Sequence, residues 1–192
     1  MIKDHTRFPC TASSTGTWDI LNFASEDPPN TANIVDVYKD LSLVKQGGGN
    51  NGAAGHGCAS SVLANGAVLK AIETASPDML VLTSSQMLAS ALSIFLQGDA
   101  PVAGGVVFGD GVRCAGGQLL RLGVQGAGNG TAQYPDKEDL SIKARSQALG
   151  APITAGATCY YQTYYRDPSA TFCPNPPGNT WNVSNGVTIV WP

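Results

Sequence analysis

Hydrolytic chemistry would need a general base, and the chain offers two histidines in 192 residues, His5 and His56. A nucleophile–histidine–carboxylate set needs its imidazole held on a rigid element. His5 sits in a polar terminus and His56 in the glycine string of residues 47–57 (GGGNNGAAGHG), so neither meets that need. Glycosidase chemistry would need two carboxylates facing each other across a cleft. Asp78, Asp99, Asp110, Asp136, Glu138, Asp139 and Asp167 all stand in turn-like contexts, where short acidic side chains bond their own backbone. The glycine-rich strings at 47–57 and 123–130 lack the Lys-Ser/Thr of a phosphate loop, and neither leads into a helical pattern. We therefore expect no catalytic residue and no cofactor.

The five cysteines, Cys10, Cys58, Cys114, Cys159 and Cys173, are widely spaced. Zinc ligands cluster at short spacing with histidine, so these cysteines read as a disulfide framework with no metal site. Disulfides imply an oxidising compartment, which places the protein outside the cell or on its surface. Calcium has weak sequence support. The turn Gly109-Asp110-Gly111 and the acidic run Asp136–Asp139 supply oxygens without the spacing of a calcium loop. Asn129-Gly130-Thr131 and Asn182-Val183-Ser184 match glycosylation acceptors, a motif too short to carry weight.

Aromatic residues carry more information. Tyr160, Tyr161, Tyr164 and Tyr165 lie on one short apolar run, with Trp181 and Trp191 nearby in sequence. Alternation sends members of such a run to opposite faces, so some pack inside. Tyr160, Tyr164 and Trp181 are the candidates for stacking on a sugar.

Elements that could hold these side chains are mostly strands. Short apolar runs recur at 67–72, 79–83, 91–96, 106–108, 119–124, 140–144, 159–165 and 187–191, separated by Gly, Pro and Asp signals. Regular short strands of this kind predict an all-β fold, an antiparallel sandwich of immunoglobulin-like or jelly-roll-like form. In the last run Val187, Ile189 and Trp191 share one face, and Thr188 and Val190 the other. Residues 86–96 also fit a helix, but a loop and strand is the preferred reading.

Three zones result: an N-terminal arm at 1–46, a flexible linker at 47–57 and a β domain at 58–192. In the arm, 33–45 (NIVDVYKDLSLVK) is the ordered stretch. Its β-branched start favours a strand, with Val35, Val37, Leu41 and Leu43 on one face. A strand on a flexible linker can add to the edge of a neighbour's sheet, or pack on its own domain. The charge of −3 and the absence of a basic stripe exclude an electrostatic nucleic-acid binder. No apolar run approaches the roughly 18 residues that span a bilayer.

Assembled in order, FGDGVRCAGG at 108–117, YQTYYRDP at 161–168, Phe172-Cys173 and NVSNGV at 182–187 resemble C-terminal modules of exported proteins from planctomycete- and myxobacteria-like bacteria. The resemblance covers about 57–192 and implies secretion and a β fold. It assigns no catalytic residue. It also implies a Cys58–Cys114 bridge; Cys159 and Cys173, which flank the YRDP turn, are close enough for a local bridge, leaving Cys10 unpaired or joined between chains. The expectation is a non-enzymatic structural or self-assembling protein, its partner another copy or a surface polymer. A carbohydrate-binding or adhesive module is the alternative, and a secreted hydrolase the third reading.

Overall fold

The computed structural model describes residues 45–46, 58–169 and 179–192, with the side chains of 45–46 and 103–105 excepted. The fold is all-β, as the turn-punctuated apolar runs predict. Eleven strands are described: β1 (Lys45–Gln46), β2 (Val68–Ile72), β3 (Val81–Ser85), β4 (Leu92–Gly98), β5 (Ala100–Phe108), β6 (Gly111–Gly116), β7 (Leu120–Gly126), β8 (Ala132–Tyr134), β9 (Thr158–Arg166), β10 (Trp181–Val183) and β11 (Val187–Val190). The main sheet runs β1-β11-β9-β4-β7, with β10 also paired to β9. A three-stranded sheet, β2-β3-β8, and a β5-β6 hairpin complete the fold, and every pairing is antiparallel.

The small sheet packs on one face of the main sheet. Leu69, Leu80, Leu82 and Tyr134 meet Phe95, Leu122, Tyr161, Tyr165, Val187, Ile189 and Trp191 in one buried cluster. The hairpin lies on the opposite face, near enough that a Cβ on Gly98 of β4 would stand 2.2 Å from the Gly116 carbonyl of β6. Only glycine permits that approach. The middle of the molecule is therefore three layers thick.

Two side-chain amides join the layers. β10 and β11 follow one another along the same edge of β9, interrupted by Ser184-Asn185-Gly186. In that gap Ser184 Oγ accepts from Thr163 N (3.0 Å) and the Ser184 N–H bonds Thr163 O (2.9 Å), so the ladder continues through a side chain. Asn185 then reaches the small sheet: its Oδ1 accepts from Leu69 N (2.7 Å) and its Nδ2 donates to Leu69 O (3.0 Å). Toward the hairpin, Gln162 Oε1 accepts from Cys114 N (2.8 Å), while its Nε2 donates to the carbonyls of Val112 (2.8 Å) and Ser184 (2.7 Å).

Several expectations need correction. The run at 140–144, read as a strand, instead contributes to a helix, α1 (Ile142–Ala148). Ser141 caps it by accepting from Ala144 N, and Ile142 and Ser146, four apart, form its buried face. The predicted Cys159–Cys173 bridge does not form: Cys159 is a free, buried thiol. Cys58 and Cys114 are disulfide-bonded. Cys10 and Cys173 lie outside the described residues, as do both histidines, the linker, and Val35, Val37, Leu41 and Leu43 of the arm. Lys45, the last residue of the strand-like arm stretch, is in β1. The loop-and-strand reading of 86–96 holds, since β4 begins at Leu92.

Candidate functional site

Three sequence segments far apart in the chain meet at one end of the main sheet. They are the β5–β6 turn with its flanks (108–113), the end of β9 with the residues after it (164–168), and 179–184 around β10. The segment 58–61 closes the group.

Trp181 stands at the centre. It is opposite Arg166 in the β10–β9 ladder, and its ring lies 4.9 Å from that of Tyr164, tilted by 32°. Phe108 meets it edge-on at 4.7 Å. The Arg113 guanidinium sits 5.7 Å over the Phe108 ring. Gly109, at φ +64°, supplies the floor, because a Cβ there would come within 2.5 Å of the indole. A side chain at that position would be strained by its backbone and would displace the ring. Tyr164 and Trp181 are half-buried, so the cluster shows its rim to solvent.

Of the three residues expected to stack on sugar, the structure brings together Tyr164 and Trp181. Tyr160 shares their face of β9 but stands opposite Gly98 and Thr188, roughly 13 Å further along the strand. Tyr161 and Tyr165 point the other way and are fully buried. Burial pushes the Tyr161 and Tyr165 phenols well up. Tyr161 is further tied by Trp191, whose Nε1 donates to its hydroxyl at 3.0 Å.

Beneath the aromatic cluster lies a buried polar layer. Asp110 is 4 % exposed and Asp167 1 %. Asp110 Oδ1 accepts from Asn179 N (2.6 Å) and Asn179 Nδ2 (3.3 Å). Its backbone N–H bonds Trp181 O (3.2 Å), and its carbonyl accepts from Cys58 N (2.6 Å). Asp167 takes the N–H of Ser61 at 2.8 Å and, on its other oxygen, the Ser61 hydroxyl. The expectation that carboxylates in turns bond their own backbone is not met at Asp110 and Asp167, whose donors, Asn179 and Ser61, are distant in sequence. Asn182, in the shorter reading a glycosylation acceptor, is fully buried and gives its Nδ2 to the carbonyls of Cys58 (3.2 Å) and Ala59 (3.1 Å). That amide cannot carry a glycan in the folded protein.

The only sequence cue to this layer was the pairing of Asp with turn glycines and with Pro168, which cannot distinguish a surface turn from a buried junction. Among the described residues, no group of three or more His, Cys, Asp or Glu is placed to hold a metal ion. The second acidic run, Asp136–Asp139, is largely exposed and bonds locally, Asp136 N donating to Asp139 Oδ2 at 2.9 Å.

No family model, no curated protein and no solved structure matches this chain.

Proposed function

We propose that the protein is a non-enzymatic, extracellular structural subunit that assembles by adding its N-terminal arm to the sheet of another copy. The carrying observation is β1. Lys45 and Gln46, at the end of the arm zone, pair antiparallel with Thr188 and Val187 of β11, at one border of the main sheet. β11 suits such a role, because Val187 and Ile189 are buried and its ladder with β9 is regular. The opposite border is less receptive. The β4–β7 ladder is irregular between Phe95 and Leu96, and Arg145 Nε of α1 bonds the Leu122 carbonyl (2.8 Å). Bulges and covering side chains are common ways to block an edge.

An arm joined through a flexible linker can leave its own β11 and bind a neighbour's with the same hydrogen bonds. Such head-to-tail exchange is an open interface and generates filaments. The disulfide-bonded Cys58 and Cys114 support an oxidising, extracellular setting, as does the family resemblance. Among the described residues no helix is long and apolar enough to cross a membrane. Deleting residues 1–46 should reduce the assembled protein to a lower oligomeric state by light scattering. An unchanged state ends the proposal.

A second reading, a carbohydrate-binding or adhesive module, is favoured by one observation: the half-buried Tyr164–Trp181 pair beside Arg166 and Thr180, whose side chains are already joined (3.1 Å). Equal glycan-array signals from wild type and Trp181→Ala would remove it.

A further inference from the structure

We infer that Asp110 is a ligand of a hard cation, Ca2+, at the junction of the β5–β6 turn with segments 58–61 and 179–181. This goes beyond the assembly reading and does not depend on it. The argument begins with one atom. Asp110 is 96 % buried, yet its Oδ2 has no hydrogen-bond partner. Bulk solvent does not reach that oxygen, and an unpartnered buried charge is costly. Such groups are found paired or coordinating a metal.

The second observation is the surroundings. Asp167, a second carboxylate, is buried against the same segments: its N–H bonds Thr180 O (3.1 Å), between the two residues that Asp110 bonds. The hydrogen bonds that these two carboxylates accept come from Asn179 and Ser61, all neutral donors. Arg166 is exposed and directed to Thr180, and Arg113 bonds the Ala115 carbonyl (2.8 Å) beside Phe108. Both carboxylates also act on the buried Tyr165 phenol, adding to the upward push of burial. Negative charge thus accumulates at this junction, and the described donors that bond the two carboxylates carry no charge.

A cation supplied from solution answers that charge. Its partners would be carboxylate oxygen, main-chain carbonyls and water, the set preferred by Ca2+. Mg2+ gives up water reluctantly and demands stricter geometry. Few protein charges means modest affinity, in the range of extracellular calcium modules, on the order of 0.1–1 mM.

The test uses the full chain, stripped with EDTA and dialysed. Its thermal midpoint should rise by several degrees in about 10 mM CaCl2 and by much less in equal MgCl2. Asp110→Asn should lose at least about tenfold in apparent Ca2+ affinity, while Asp139→Asn, in the exposed acidic run, should keep it. If Asp110→Asn does not fold, the wild-type indole emission provides the readout. Trp181 lies on Gly109 beside the site, so its emission should respond to Ca2+ and Trp181→Phe should abolish the response. A wild-type midpoint indifferent to Ca2+, an equal response to Mg2+, loss of the response in Asp139→Asn, or an emission change that survives in Trp181→Phe would each overturn the assignment.

Discussion

Asn185 bonds both backbone groups of Leu69 with the two ends of one amide, as a neighbouring strand would. Both residues are fully buried, so removal of the amide leaves an N–H and a C=O without water or partner. Each such group costs roughly 1–3 kcal/mol. Asn185→Ala should therefore destabilise the fold by about 3 kcal/mol in urea unfolding. Tyrosines supply a second residue-level consequence. Burial first, and then the charge of Asp139, push Tyr134 up to about 12. Its hydroxyl also donates to Leu140 O (3.2 Å). A phenol raised in the folded state contributes stability that is fully present below the unfolded value near 10. That contribution is lost as pH rises through about 12, because the unfolded chain gives up its proton first. Tyr161 and Tyr165 act in the same direction. Unfolding midpoints should thus fall steeply above pH 10, and Tyr134→Phe should flatten part of the fall. The free thiol of Cys159 shows a limit at this scale. Its place beside the YRDP string suggested a local bridge, but it faces the core, where burial pushes its pKa up.

At the scale of elements, alternation made some strands legible and hid others. Val187, Ile189 and Trp191 are all within 1 % of full burial, with Thr188 and Val190 half-buried between them, as period two requires. β9 reads clearly for the same reason. β6 (GVRCAG) was missed because glycines and an arginine interrupt its apolar pattern, although five of its six residues are buried between layers. β8 and β10 have three residues each, too few to show a period. The helix α1 is hidden because the apolar run 140–144 contains its cap, Ser141 with Ala144 N, but stops before Ser146, which completes the buried i, i+4 pair with Ile142. The aromatic cluster was half legible. Sequence placed Tyr164 and Trp181 in one group, but the glycine floor at Gly109 and the buried carboxylates depend on tertiary contacts between segments about 70 to 120 residues apart.

For the whole molecule, the unequal borders of the main sheet are the decisive feature. One border is irregular and reached by Arg145; the other accepts Lys45 and Gln46. The sandwich class followed from turn spacing alone, whereas the identity of the open border required the strand order. If the arm exchanges between copies, Lys45 of one chain faces Thr188 of another. The most direct test mixes two single variants, Lys45→Cys and Thr188→Cys, under mild oxidation. Strand exchange predicts a covalent dimer joining one chain of each kind. A mixture that stays uncrosslinked, while the double variant closes its own loop within one chain, would contradict it.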